Sequence, residues 1–273
     1  MKISLIQTNI TWADPKENAR HIEDLIMNAE ESDLYVLPEM WSTGFATEPE
    51  GIAEEENGES LRWMQAMANK RHAAIAGSIA VKSSTDGSFR NRFYFVKPHE
   101  GDTEKADINN KKPQKGDMQA TDNVYYDKRH LFTYGGEHLR YSAGERRVVT
   151  EWRGMRFLLL VCYDLRFPVW ARNHEDYDCI LCIASWPTPR LSAWNTLLLA
   201  RAIENQCYVA GVNRVGKDLS CNYSGGTQLI DAYGRVTASC QPNTEEVITS
   251  EISIDSLNAF RKKFPVLKDR DIF

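Results

Sequence analysis

Residues 157–168 read FLLLVCYDLRFP. The apolar run Phe157 to Val161 has the pattern of a short strand buried on both faces, as in a sheet covered above and below. The run ends on Cys162, Tyr163, Asp164 and Arg166 before Pro168. A thiol and two charges at the end of a core strand invite a functional reading, because α/β sheets present their sites beyond the carboxyl ends of their strands.

Outward from this strand the pattern repeats. KISLIQTN, DLYVLPE, AAIAGSIAV and RFYFVKP read as strands in the first half, separated by the helical stretches PKENARHIEDLIMNAEE and SLRWMQAMANKRH. Ile22, Leu25, Ile26 and Ala29 recur at helical spacing, with Asp14 or Pro15 suited to start the helix. In the second half come a short helix near PVWARNHED, the strand CILCIAS, the helix SAWNTLLLARAIENQ, the strand CYVAGVNRVG, and a hairpin-like pair in GGTQLIDAYGRVTAS and EEVITSEIS. Tyr233-Gly234 falls where a tight turn would reverse the chain. Interleaved strands and helices predict an α/β fold of sheets covered by helices.

At about 150 residues per domain the length would permit two domains. No Ser/Gly-rich or Pro-rich linker divides the 273 residues, so a single domain spanning 1–273 is expected. Residues 99–123, HEGDTEKADINNKKPQKGDMQATDN, contain almost no large apolar side chain, and a polar surface loop joining two strands is expected there. The formal charge of -5 leaves no basic footprint for nucleic acid. The N-terminal MKISLIQTNITWADP lacks the apolar core and cleavage site of a signal peptide. No window approaches the roughly 18 uninterrupted apolar residues of a membrane span. A cytoplasmic location follows as an expectation, and with it six free thiols rather than a disulfide framework.

Among those thiols, Cys162 stands out by its place at a strand end, although a cysteine in an apolar strand is by default structural. A free thiol is mostly protonated at neutral pH and needs a base or a cation beside it to act as a nucleophile. Glu39, in LYVLPEMWSTGF, ends another apolar strand, with Pro38 fixing the turn. The choice there lies between a solvated carboxylate and a proton carrier. Lys128, in VYYDKRHLF, shares one strand face with Tyr126 and His130 and lies opposite Tyr125, Asp127 and Arg129. It is either part of a solvated edge or an inward cation for a developing oxyanion. Cys179 and Cys182 form C-x-x-C inside a strand, where residues three apart face opposite ways, so they read as core filler, as do Cys207, Cys221 and Cys240. His130 and His138 raise a Cys/His dyad, which explains less of the chain.

Taken together, LPEMWSTGF, YDKRHLF and VCYDLRFPVWAR resemble, in order, the three motifs of the nitrilase superfamily of carbon-nitrogen hydrolases. The likeness is greatest to the omega-amidase branch, through EMWSTGFA, YDKRHLF, GEHLRYSAG, VCYDLRFPVW, ASWPTPR, LLARAIENQCYVAGVNRVG and FRKKFP. The resemblance implies a four-layer α-β-β-α sandwich, often dimerised into eight layers, and amide hydrolysis through a thioester without metal or organic cofactor. It gives Glu39 the role of general base, Lys128 that of oxyanion-stabilising lysine and Cys162 that of nucleophile. Glu137 corresponds to a second glutamate beside the lysine.

With those roles, the turn after Cys162 is expected to aim the backbone N–H of Tyr163 at the substrate carbonyl oxygen, braced by Asp164 and Arg166. An omega-amidase takes a small dicarboxylate monoamide such as 2-oxoglutaramate or 2-oxosuccinamate, with water as co-substrate. An arginine best suits its far carboxylate, and Arg166 and Arg190 are the candidates, Arg166 being weighed also as a structural ion pair. Trp186, Phe45 and Tyr125 are candidate walls. The same triad would serve a carbamoyl amine or a nitrile, and a silent binding subunit on this fold is a further alternative.

Overall fold

The computed structural model describes residues 1–99 and 123–271, so the polar segment 99–123 lies outside the described residues except for its two ends. The first sheet is built from β1 (Lys2–Gln7), β2 (Leu34–Val36), β3 (Glu54–Glu55), β4 (Ala74–Lys82), β5 (Phe89–Val96) and β6 (Val124–Asp127). The second takes β7 (Val149–Trp152), β8 (Met155–Val161), β9 (Cys179–Ala184) and β10 (Tyr208–Asn213), then, after a separate ribbon of β11 (Val215–Lys217) and β12 (Asn222–Ser224), β13 (Gln228–Ile230) and β14 (Val236–Ser239). The following strand, β15 (Glu246–Glu251), leaves the second sheet and pairs antiparallel with β1, Lys2 facing Glu251 and Gln7 facing Glu246. The tight turn at Tyr233-Gly234 joins β13 to β14, so the hairpin closes within GGTQLIDAYGRVTAS and EEVITSEIS belongs to the other sheet.

Helices α1 (Pro15–Asn28) and α2 (Glu59–Arg71) cover the first sheet, while α3 (Pro168–Ala171) and α4 (Leu191–Asn205) lie on the side of the second; α5 (Ile254–Lys263) follows β15. Asp14 starts α1 by accepting the Glu17 backbone N–H at 3.1 Å, with Pro15 in the first turn, where its missing N–H costs nothing.

Alternation along the strands produces the layers. In β8, Phe157, Leu159 and Val161 join Ile3, Leu5, Phe93 and Phe95 in the core between the sheets, while Leu158 and Leu160 pack with Trp194, Leu198 and Ala202 of α4. Ile22, Ile26, Met64 and Met67 close the outer face of the first sheet against Tyr35 and Ile75. Each large side chain buried in this way contributes roughly 1.5–3 kcal/mol. The result is the four-layer α-β-β-α sandwich that the sequence led us to expect. It also explains why FLLLV is uninterrupted: a strand between two layers has no solvent face.

In the first sheet β2 and β4 run parallel, and β5 reverses before β6 resumes the direction of β4. In the second, β8, β9 and β10 are parallel. Glu39, Lys128, Cys162 and Ser185 all follow closely on the carboxyl ends of strands, and Asn91 sits near the start of the reversed strand β5 at the same edge.

Candidate active site

Cys162 follows directly on β8 and opens the 3-10 turn Cys162–Arg166, with φ +48°. A non-glycine residue in the left-handed region costs on the order of 1–3 kcal/mol and persists only where its surroundings enforce it. Asp164 does so. Its Oδ2 accepts the Val161 N–H at 3.0 Å and the Tyr126 hydroxyl at 2.8 Å, and its Oδ1 accepts the His130 backbone N–H at 2.9 Å and lies 2.8 Å from His130 Nδ1. The expected brace is therefore Asp164, tied across to the end of β6. Arg166 takes no part in it: among the described residues its side chain forms no ion pair, and its guanidinium lies 5.0 Å over the Trp186 ring at the cleft.

The strand in VYYDKRHLF ends at Asp127, and Lys128 is held just beyond it by its own N–H to the Asn91 carbonyl at 3.0 Å and its carbonyl to the Gly144 N–H at 2.9 Å. Gly144 is required there, since a Cβ would sit 2.1 Å from the Asp127 carbonyl oxygen. Lys128 Nζ lies 3.0 Å from Glu39 Oε1 and 2.9 Å from Glu137 Oε2, and all three side chains are 0% exposed. Glu137 also accepts the Phe132 N–H at 2.6 Å, and Glu39 Oε2 accepts the Ser185 N–H at 2.8 Å. Asn91 donates from Nδ2 to both carboxylates, at 2.8 Å to Glu39 and 3.2 Å to Glu137.

These neighbours set the charges. Burial would strip Lys128 of its proton, but Glu137 and Glu39 outweigh it and hold the ammonium well above the usual lysine range. Burial raises the Glu137 carboxyl despite Lys128. Burial, reinforced by the negative charge of Glu39 and opposed by Lys128, pushes the Cys162 thiol well above the normal cysteine range. The resting site thus combines a protonated thiol, one ammonium and two carboxyl groups, all donors on Glu39 pointing at its oxygens.

Above this cluster opens a cleft of ≈ 750 Å³ with Glu39, Cys162 and Ser185 among its lining residues. Phe45, Phe132, Tyr163 and Trp186 supply apolar wall, and Arg166 and Arg190 supply cations; Arg190 lies 5.3 Å over the Phe132 ring and forms no ion pair among the described residues. Trp186 is fixed by its Nε1–H to the Arg190 carbonyl at 2.8 Å. Tyr125 is not part of the cleft. It faces the outer side of the first sheet, 6.3 Å from Tyr94 and beneath Arg92, because strand alternation sends it away from Tyr126.

Cys179 and Cys182 lie in the cores on opposite faces of β9, as the strand pattern predicts, whereas Cys221 is a correction. It is half-buried in the turn between β11 and β12, where Asp218 accepts its N–H at 2.7 Å, and it lines the cleft mouth. His138 is exposed and His130 is engaged by Asp164, so neither forms a dyad with Cys162. Among the described residues no three His, Cys, Asp or Glu side chains are grouped to hold a metal ion. Nor is any described helix long and apolar enough to cross a membrane.

Asn91, the Ser185 N–H, and Trp12 and Phe132 of the cleft lining were not singled out by the sequence. Asn91 had a legible signal: a polar residue in phase with the inward Phe93 and Phe95 of β5.

The family model for carbon-nitrogen hydrolases matches residues 2–262. The chain is 42% identical to an omega-amidase, YafV, of Escherichia coli (strain K12), over 100% of this chain and 98% of that protein. It is 34% identical to a 2-oxoglutaramate amidase of Bacillus subtilis (strain 168), over 98% and 96%. The crystal structure of XC1258 from Xanthomonas campestris, a CN-hydrolase superfamily protein, superimposes with a TM-score of 0.88 at 39% identity, covering 100% of this chain and 98% of that one.

Proposed function

The chain belongs to the carbon-nitrogen hydrolase family, and on that premise we propose that it is an omega-amidase, releasing ammonia from the terminal amide of a small dicarboxylate monoamide such as 2-oxoglutaramate or 2-oxosuccinamate. The observation that carries this reading is the ammonium of Lys128 shared by Glu39 and Glu137 next to Cys162, at the base of a cleft that also holds Arg166 and Arg190. The relatives named omega-amidase and 2-oxoglutaramate amidase support the substrate class.

In the proposed reaction Glu39 takes the thiol proton as Cys162 Sγ attacks the amide carbon. The net charge of the cluster does not change in this step; a negative charge moves from carboxylate to the carbonyl oxygen. Lys128 and the Tyr163 N–H stabilise that oxyanion, a single such donor being worth roughly 100 to 1,000-fold in rate. Glu39 returns the proton to the leaving nitrogen, the C–N bond breaks and ammonia departs, leaving an acyl thioester on Cys162. A water deprotonated by the same carboxylate then attacks the thioester, releasing the acid and restoring the thiol. Glu137 keeps Lys128 charged and in place. Arg166 and Arg190 bind the far carboxylate, and Phe45 and Trp186 shape the space between. Self-association and a cytoplasmic location are part of the same reading; sedimentation velocity of the purified protein tests the first.

The test is ammonia release from 2-oxoglutaramate, glutamine, a carbamoyl amine and a simple nitrile, by wild type and Cys162→Ala. Turnover of the 2-oxo acid amide that is lost in the variant is expected. Turnover of another compound alone would keep the triad and overturn the substrate; wild-type rates in the variant would overturn the nucleophile.

A further inference from the structure

Asn91 has no role in the steps above, yet it lies at their centre. It is 1% exposed, its Nδ2 meets Glu39 Oε1 at 2.8 Å and Glu137 Oε1 at 3.2 Å, and its backbone carbonyl accepts the Lys128 N–H. Its Oδ1 is buried without a partner among the described residues. An amide oriented by the two oxygens in front of it, at the expense of its own acceptor, is positioned for those oxygens.

We propose that Asn91 is a positioning residue for amide hydrolysis, an uncharged bridge that holds the carboxylates of Glu39 and Glu137 together and sets the lower pH limit of turnover. This role rests on the assignments of Glu39, Lys128 and Cys162 made above. Two carboxylates share one ammonium in a buried cluster, so one negative charge is left over. Carboxylates in such a pair tend to retain a proton, and a proton on Glu39 would abolish its capacity to accept the one from the thiol. Neutral N–H donors favour the ionised form without adding charge. A second lysine at position 91 would cancel the charge that Glu39 needs; an aspartate would add a third negative group.

The titratable groups around the bridge come from several elements: Glu39 after β2, Lys128 after β6, Glu137 in the following turn, Tyr141, Cys162 after β8 and Cys182 of β9. Tyr141 donates its hydroxyl to the Ala46 carbonyl at 2.8 Å, and burial holds both it and Cys182 in their neutral forms. That leaves the carboxylates that Asn91 bridges. Burial already raises that of Glu137, the direction Asn91 opposes.

The experiment measures kcat/KM for the omega-amide and the rate of Cys162 alkylation by iodoacetamide against pH in wild type, Asn91→Leu and Asn91→Ser. The leucine variant keeps the volume and loses both donors; its acid limb is expected to rise by about 1 to 2 pH units in both assays, with rates recovering toward wild type at higher pH. The serine variant, which fits the same space and keeps one hydroxyl donor, is expected to shift less. An acid limb that stays in place while kcat or the melting temperature falls would reduce Asn91 to a packing residue, and so would failure of both variants to fold. Turnover retained in Cys162→Ala would instead undo the underlying triad. Cys162-dependent turnover with an unmoved limb in folded Asn91 variants overturns this inference alone.

Discussion

Glu39 Oε2 accepts the backbone N–H of Ser185 at 2.8 Å across 146 residues of sequence. The carboxylate that follows β2 in one sheet is thereby fastened to the end of β9 in the other. Its second oxygen is held by Lys128 and Asn91, so the group meets Cys162 with its position already fixed.

Glu39→Gln tests that arrangement. An amide has one acceptor oxygen where the carboxylate has two, and it cannot take a thiol proton. kcat should fall by about 100 to 10,000-fold, the range expected for losing a general base, with circular dichroism unchanged and a stability loss of about 1–3 kcal/mol, because the new NH₂ must face the Ser185 N–H or the Lys128 and Asn91 donors. A small loss of kcat would remove Glu39 from the chemistry.

Lys128→Met is expected to be a stability variant as well as an inactive one. Removing one partner from a buried ion pair costs roughly 3–5 kcal/mol. Because the folded Lys128 ammonium is held above its unfolded value of 10.5, its contribution is complete below that pH and is lost as pH rises through the folded value. Glu137 has its carboxyl raised by burial, so falling pH protonates it in the folded state and the ammonium is needed less. Urea midpoints at pH 5 and pH 8 should show the larger loss at pH 8; equal losses would contradict the ion-pair account.

The thiol of Cys162 is pushed upward first by burial and then by Glu39, so it stays protonated through neutrality. A difference titration of thiolate absorbance, wild type minus Cys162→Ala, should show no ionisation of this residue between about pH 6 and 8, because an acid with a raised value keeps its proton below it. A thiolate signal at neutral pH would indicate activation by pKa depression rather than by a base.

Among the described residues Arg166 and Arg190 form no ion pair, and each guanidinium lies over an aromatic ring of the cleft, Trp186 and Phe132 respectively. Replacing either with methionine should raise KM for 2-oxoglutaramate by about 10 to 100-fold, the value of one hydrogen bond to a charged group. A neutral amide of similar length should be little affected, and equal losses on both substrates would point to collapse of the wall.

Asp164→Asn should loosen the turn under Cys162. Four contacts converge on that carboxylate, from the Val161 N–H, the Tyr126 hydroxyl, and the backbone N–H and Nδ1 of His130. An amide NH₂ facing any of those donors leaves it unsatisfied, at about 1–3 kcal/mol. Lower stability with a reduced rate of Cys162 alkylation is expected, and unchanged alkylation would separate the brace from the nucleophile.

Much of this arrangement was legible because layer and period dictate each other. FLLLV has no polar position to spare, which forces a strand with a covered face on each side, and the alternation that divides Cys179 from Cys182 needs no knowledge of tertiary contacts. The same alternation turns Tyr125 away from the inward Tyr126, and it could have marked Asn91 beside Phe93 and Phe95. Ser185 was beyond reach because its contribution is a backbone N–H, which carries no trace in residue type. That Arg166 meets no carboxylate among the described residues was likewise hidden, since local sequence cannot say which carboxylates a guanidinium will meet. The route of β15 depends on a pairing 245 residues away, between Ser4 and Thr249, that no local pattern encodes.

That pairing orders events during synthesis. Strand β1 leaves the ribosome long before β15, yet its outer edge is closed only when residues 246–251 arrive. At about 5–20 residues per second the wait lasts on the order of ten seconds or more. Over that interval the nascent chain carries an open strand edge of the kind that recruits other chains, and the sheet bearing Glu39 is completed after the one bearing Cys162 has all its strands. Cys162 is mounted before the sheet that carries Glu39 is sealed, so the half-made protein is vulnerable at β1, and a chain released before β15 should be cleared or aggregate rather than persist.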